Sequence, residues 1–85
     1  MQDANIVAEQ IRAARAVLSW SVAELSMKTG VGTATIKRYE ATTGVPKSRK
    51  GHLQTIRSTF ESAGIEFIGT PEDRPGIRLH RPAGP

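Results

Sequence analysis

The sequence predicts a mainly α fold: a bundle of four helices, two of which form a helix–turn–helix, followed by a C-terminal β-hairpin. Apolar residues recur at helical spacing through residues 5–63. A glycine-centred turn divides the segment from Ser21 to Glu40 into two short helical patterns. After Gly64 the pattern changes to alternating apolar and polar residues, which is typical of strands. The 85 residues suffice for one domain, because two would each be too small to bury a core.

The first helix is expected over residues 5–18, with Asn5 as its N-cap. Arg12 and Arg15 lie off its apolar stripe and could reach solvent or a phosphate, and of these two we expect solvent. The stripe itself is spaced as one buried face of a helix: Val7, Ile11, Ala14 and Leu18.

The second helix is predicted over residues 22–29. Ser21 and Glu24 have the spacing of a capping box, in which each side chain bonds the backbone N–H of the other residue. Gly30 is suited to end this helix, because glycine adopts the left-handed conformation without a Cβ clash.

The third helix is predicted over residues 33–41, with Gly32 as a weak N-cap. Ile36 and Tyr39 are expected to point into the core. A loop should follow from Thr42 to Pro46, because proline disfavours helix at the residue before it.

The fourth helix is predicted over residues 49–63, with Ser48 as its cap and Gly64 as its end. Its apolar stripe comprises Leu53, Ile56, Phe60 and Ala63. Two alternating segments then predict a hairpin whose strands are separated by a loop from Gly69 to Pro75. The chain thus divides into a helical domain over residues 1–64, a hairpin over 65–81 and a disordered tail over 82–85.

Composition argues against several classes of function. The chain has no cysteine, which excludes disulfides and thiolate catalysis. His52 and His80 lack ligand-like spacing, so no metal or other cofactor is expected. The sequence shows no nucleophile–base pair, no paired carboxylates and no phosphate-binding glycine loop, so we do not expect an enzyme. No apolar run reaches the roughly 20 residues that span a bilayer, and no signal peptide is recognisable, so we expect a cytoplasmic protein.

Positive charge is concentrated in residues 33–57. This segment has a local excess of +5, against +4 for the whole chain. Its one acidic residue is Glu40, and its six basic residues are Lys37, Arg38, Lys47, Arg49, Lys50 and Arg57. Such a concentration beside a helix–turn–helix pattern indicates a polyanionic partner, which we expect to be double-stranded DNA.

The turn and the helix after it carry a recognisable motif. A small residue, a glycine and a branched apolar residue stand at Ser26, Gly30 and Ile36. With Val31 and the run ATIKRYE over residues 34–40, this pattern resembles the helix–turn–helix of the Cro/CI-type (XRE) family of bacterial and phage regulators. The resemblance covers about residues 6–63. It implies a lambda-repressor-like fold, with the third helix entering the major groove of DNA.

The resemblance also implies which residues touch DNA. Four would face base edges or the groove wall: Thr33, Ala34, Lys37 and Arg38. Five would lie against the phosphate backbone: Val22, Thr43, Lys47, Arg49 and Lys50. Val22 departs from the family, which often has glutamine there, so the backbone N–H groups would have to hold the phosphate. Lys37 and Arg38 can each read guanine, and the choice between them stays open.

The hairpin is the expected contact of a homodimer, because the usual fifth helix of the family is replaced by strands. The candidate dimer contacts are Ile65, Phe67, Ile77 and Leu79. These residues can instead cover the core of the monomer, and both interpretations stay open.

The motif and the basic segment together favour a sequence-specific DNA-binding transcriptional regulator, most simply a dimeric repressor. One alternative is an antitoxin of the same fold, which would also bind a toxin protein. Another is a protein-interaction module that acts as a bridging coactivator. The local positive excess argues against that module, because it needs no basic recognition face.

Overall fold

The computed structural model describes residues 5–48 and 51–81, and the predicted tail over 82–85 lies outside them. In this part of the chain, four helices precede a two-stranded antiparallel hairpin, which confirms the predicted order of elements. The elements are α1 (Ala8–Leu18), α2 (Val22–Thr29), α3 (Thr33–Glu40), α4 (His52–Ser62), β1 (Ile65–Thr70) and β2 (Asp73–Leu79). None of the described helices has the length and apolar character needed to cross a membrane.

The apolar stripes of the helices meet in a common core. Every helix contributes buried side chains to it: Ile11 and Ala14 from α1, Leu25 from α2, Ile36 and Tyr39 from α3, and Leu53, Ile56 and Phe60 from α4. Trp20, between α1 and α2, stacks on Phe60 with ring centroids 5.6 Å apart. Removal of this surface from water, worth about 25 cal/mol per Å² of apolar area, is the main force that holds the bundle together.

Helix α1 begins at Ala8, so the prediction that Asn5 is its N-cap is wrong. Ile6 and Val7 are 1% and 2% exposed, and Val7 has an extended backbone with φ −97° and ψ 160°. The chain therefore enters the core before the helix begins. The backbone N–H of Val7 donates to Oε1 of Gln10 at 2.9 Å. Burial of two apolar side chains outweighs the capping preference of asparagine.

Helix α4 begins at His52, so the predictions of a start at residue 49 and of Ser48 as the cap are wrong. Its N-cap is Gly51, which has a φ of +84°. A residue in this left-handed conformation does not belong to a right-handed helix, so α4 starts only after it. Arg49 and Lys50 lie outside the described residues.

Most of the loop predicted from Gly69 to Pro75 lies within the two strands, so this prediction is also wrong. The strands continue to Thr70 and Asp73, which pair with each other beside a tight turn. A register shift in the ladder precedes this pair. Gly69 (φ +76°) and Arg74 (φ +49°) are both left-handed. The resulting bulge bends the strands and keeps a loop-like sequence within the sheet.

The hairpin lies against the helices. Gln10 of α1, which is 4% exposed, donates from Nε2 to the carbonyls of Ile68 at 3.2 Å and Gly76 at 2.8 Å, one on each strand. Phe67 of β1 meets Phe60 of α4 edge to face, with centroids 6.2 Å apart. A buried polar link and an apolar contact therefore join the hairpin to the bundle.

Candidate nucleic-acid interface

Local chemistry sets the turn between α2 and α3. The backbone N–H of Glu24 donates to Oγ of Ser21 at 3.0 Å, and the N–H of Ser21 donates to Oε1 of Glu24 at 2.9 Å. These bonds confirm the predicted capping box. Gly30 ends α2 with φ +78°, as predicted. The N–H of Val31 donates to Oγ1 of Thr29 at 3.1 Å, and the Val31 side chain, 2% exposed, anchors the turn in the core.

Helix α3 separates a buried side from an exposed one. Ile36, Tyr39 and Glu40 are 0%, 1% and 8% exposed. The opposite side carries four exposed residues: Thr33, Ala34, Lys37 and Arg38. Residues four apart lie on one side of a helix, so these four form one continuous surface, here called the α3 face. The structure thus brings together all four residues for which the sequence suggested base contacts.

Arg15 of α1 holds the C-terminal end of α3. Its Nε and Nη2 donate to the two carboxylate oxygens of Glu40, each at 2.8 Å. Its Nη1 donates to the carbonyl of Trp20 at 3.0 Å. Arg12 donates to the backbone carbonyl of Glu40. Both arginines therefore bind α3, because each reaches a carboxylate or carbonyl of a neighbouring element. Arg12 is nevertheless exposed, as expected, whereas Arg15 is half-buried, so the expectation that Arg15 faces solvent is wrong.

The pairing of Glu40 has an electrostatic consequence for the α3 face. Its carboxylate is largely buried and matched by Arg15, whose pKa is raised by hydrogen bonding to that carboxylate. The acidic residue of the basic segment therefore faces away from the exposed side of α3. Arg57, in contrast, pairs with Glu61 at 2.9 Å on α4, so its charge is matched locally.

Three cations remain around α3. Lys37, Arg38 and Lys47 are all exposed, and among the described residues none of them forms an ion pair. The other two predicted phosphate contacts of this segment, Arg49 and Lys50, fall in the gap between the two described ranges. Cations without an ion-pair partner are available to a polyanion without first breaking a salt bridge.

A groove of about 500 Å³ lies between α3 and the loop that follows it. It is lined by Arg38, Tyr39, Thr42, Val45, Pro46 and Lys47, and is here called the α3 groove. The Arg38 guanidinium lies 5.8 Å from the centroid of the Tyr39 ring. The Tyr39 hydroxyl lies 2.8 Å from Nδ1 of His52. The sequence carries no local signal for this groove, because it exists only where the loop returns against α3.

The remaining predicted phosphate contacts differ in position. Thr43 and Lys47 are exposed in the loop after α3, as the prediction requires. Val22 packs its half-buried side chain against the core. A phosphate at the start of α2 would therefore meet backbone N–H groups and not this side chain.

The four candidate dimer contacts of the hairpin cover the core of the monomer. Ile65 is 3% exposed, and three more pack against the core as partly buried side chains: Phe67, Ile77 and Leu79. The other face of the hairpin is charged, because Glu66 lies 2.6 Å from His80 and 3.9 Å from Arg78. A dimer formed by apolar packing of the four residues would have to compete with their contacts to the core.

Comparison with known proteins leaves the family open. No protein-family model matches the chain, and no curated protein sequence matches it significantly. The resemblance to the Cro/CI-type regulators rests on the residues of the turn and of α3.

Proposed function

We propose that this chain is a sequence-specific, double-stranded DNA-binding transcriptional regulator of the Cro/CI type, with a lambda-repressor-like fold and α3 as its recognition helix. The observation that carries the proposal is the α3 face, an exposed surface with two cations on a helix whose opposite side is buried. The simplest action is repression in the cytoplasm, where the bound protein blocks access to a promoter.

The fixed orientation of α3 supports recognition of bases. Ile36 is 0% exposed and anchors the middle of the helix. The pair between Arg15 and Glu40 and the hydrogen bond between Tyr39 and His52 hold the helix to α1 and α4. Base readout requires side chains to be placed accurately before contact, and a helix held on two sides meets that requirement.

Lys37 and Arg38 would have different roles in the groove of DNA. A planar guanidinium can donate two hydrogen bonds to O6 and N7 of guanine, and each such pair discriminates by about 1–3 kcal/mol. Arg38 already lies near the Tyr39 ring, which limits the positions of its guanidinium. We therefore assign base recognition first to Arg38, and a base or phosphate contact to Lys37.

The proposed regulator acts as a homodimer on two half-sites about 34 Å apart. The dimer contact of the hairpin is proposed at its strand edges, because its apolar side chains already pack against the core of the monomer. The sheet has two strands, so among the described residues each strand has one strand neighbour and one unpaired edge. Pairing with the edge of a second copy would extend the sheet without exposing the core.

Selection from a random pool of duplex DNA tests this function. Wild-type protein should select a two-fold symmetric motif, and the double variant Lys37→Ala/Arg38→Ala should lose it. The matched control is Arg57→Ala, which removes a cation that is already paired with Glu61. This control should retain the motif. Circular dichroism of each variant separates loss of binding from loss of folding.

Salt dependence distinguishes the outcomes. A motif that is retained at moderate salt and lost in the double variant supports base recognition by α3. Weak binding without sequence preference, which disappears as salt is raised, would contradict the proposal. The basic segment would then be a general polyanion surface, and a protein partner such as a toxin would become the object of the search.

A further inference from the structure

We propose that the α3 groove binds a small organic anion with a flat apolar body, of the class of aromatic carboxylates and sulfonates, and that this ligand competes with DNA. The existence of this binding site does not depend on the proposed function. Only the competition with DNA rests on that function. The volume of about 500 Å³ lies within the roughly 300–1,000 Å³ of small-molecule sites.

The groove offers apolar surface to the body of such a ligand. Tyr39 is 1% exposed and Pro46 is buried, so they close the bottom of the groove and leave little of their own surface accessible. Val45 is 42% exposed, which is high for a large apolar side chain. A flat hydrocarbon body in the groove would remove part of this surface from water.

The charges of the groove favour an anion. Arg38 and Lys47 both line it, and none of the described lining residues is acidic. Neither cation forms an ion pair with a described residue. An anionic group between them would supply the missing countercharge, and the planar guanidinium could bind a carboxylate or sulfonate through two hydrogen bonds.

Contacts to other elements hold the walls of the groove in place. The loop that forms one wall is tied to α1, because the N–H of Ala8 donates to the Gly44 carbonyl at 2.8 Å. The N–H of Gly44 donates in turn to Oε1 of Glu9 at 3.2 Å. Tyr39, at the bottom of the groove, is held by His52 at 2.8 Å. A site whose walls are fixed before binding loses little conformational entropy when the ligand enters.

The apolar lining distinguishes a small ligand from the backbone of DNA as the occupant. A phosphate diester can use the two cations, but a strongly hydrated phosphate gains nothing from contact with the exposed apolar side chain of Val45. A small anion with an apolar body uses both features. Because Arg38 belongs to the groove and to the α3 face, a bound anion would withdraw this cation from DNA and repel nearby phosphates.

A pair of fluorescent dyes tests the site on the full chain. The probe is 8-anilinonaphthalene-1-sulfonate, and its uncharged counterpart is N-phenyl-1-naphthylamine. The sulfonate should bind one saturable site, and Lys47→Gln should weaken its binding about threefold to tenfold while the neutral dye is little affected. The matched control is Arg81→Gln, which removes an exposed cation outside the groove and should leave both dyes unaffected.

A second variant and an NMR map keep the test independent of a single charge. Val45→Asp places a carboxylate in the groove and should abolish sulfonate binding, whereas Val45→Asn should weaken it less. Amide shifts on titration should concentrate in residues 38–47. Non-saturable fluorescence, shifts elsewhere, or equal sulfonate affinity in Lys47→Gln and wild type would overturn the site.

Competition is measured with the duplex motif obtained by selection. The sulfonate should lower the apparent affinity for this duplex in wild type and have a smaller effect in Lys47→Gln. Simultaneous binding of dye and duplex would overturn the competition. Failure to bind any duplex would contradict the proposed function, while the dye titrations would still decide whether the groove is a site.

Discussion

Glu40 shows how the position of one residue changes the effect of its charge. It stands in the most basic segment of the chain, where an exposed carboxylate would offset the positive charge of the α3 face. In the structure it is 8% exposed and both of its oxygens bind Arg15. A buried carboxylate is tolerated only with such partners, because its hydration has been lost. The same contact removes a negative charge from the surface and holds α3.

Glu40→Gln should therefore lower the free energy of unfolding by about 2 kcal/mol, because it removes a charge-assisted pair that is mostly shielded from water. Urea denaturation of the variant measures this change. The matched control is Asp73→Asn, whose pair with Arg74 is 64% and 89% exposed. Loss of this exposed pair should cost no more than about 0.5 kcal/mol. Equal losses in the two variants would contradict the structural role of Glu40.

Glu9 makes stability depend on pH. Hydrogen bonds from its own backbone N–H and from the N–H of Gly44 lower the pKa of its carboxyl below the usual 4.5. The contribution of the ionised form is complete above this value, and it is lost as pH falls toward the lowered pKa. Between about pH 5 and pH 3, Glu9→Gln should therefore show a shallower loss of stability than wild type. Urea midpoints across this range measure the difference, and parallel curves would contradict the assignment.

At the scale of elements, the hairpin depends on Gly69, which lies opposite Arg74. Both residues have the left-handed conformation. Gly69 has φ +76°, and a Cβ built on it would lie 2.2 Å from the carbonyl oxygen of Arg74. No side chain other than hydrogen fits this approach. The bulge, and with it the pairing of the strand ends, therefore requires glycine at this position.

Gly69→Ala should lower the free energy of unfolding by at least about 2 kcal/mol, because the backbone must move to relieve both the clash and the strain in φ. Thermal and urea unfolding measure the change. Gly76→Ala is the control in the same hairpin, because its Cβ would meet Cγ1 of Ile68 at 3.4 Å, an ordinary contact. This control should stay within about 1 kcal/mol of wild type. An unchanged stability of Gly69→Ala would be inconsistent with the bulge.

At the scale of the whole molecule, helices and hairpin share one core. Ile65 is 3% exposed and belongs to the same buried cluster as the helical stripes. Gln10 joins α1 to both strands, at carbonyls that lie across the ladder from each other. The four helices alone would leave apolar surface uncovered, which a small domain cannot tolerate within its narrow margin of stability.

A chain that ends at Gly64 should therefore lose cooperative unfolding. Each large apolar side chain of the hairpin contributes about 1.5–3 kcal/mol when fully buried, against about 5–15 kcal/mol for a whole domain. Circular dichroism and sedimentation of the shortened chain measure folding and oligomeric state. A chain that ends at Arg81 is the control and should unfold like wild type. A folded monomer ending at Gly64 would instead favour the hairpin as a separate dimerisation element.

Much of the fold could be predicted because its signals are local. The capping box joins Ser21 to Glu24, and Gly30 needs only its own backbone to end α2. The α3 face could be predicted for the same reason, since residues four apart share one side of a helix. The N-termini of α1 and α4 were predicted wrongly, because there core burial and the left-handed Gly51 outweighed the capping preferences of Asn5 and Ser48.

The sequence by itself determined the helix–turn–helix pattern, the basic segment and the presence of a hairpin, because charge, period and turn chemistry act over a few residues. Only the tertiary structure decided how α3 is held and what lies beside it. Arg15 and Glu40 are far apart in the chain, and the α3 groove forms where the loop ending at Lys47 returns against α3. Such contacts depend on how the elements pack around the core, and a pattern of neighbouring residues does not determine that packing.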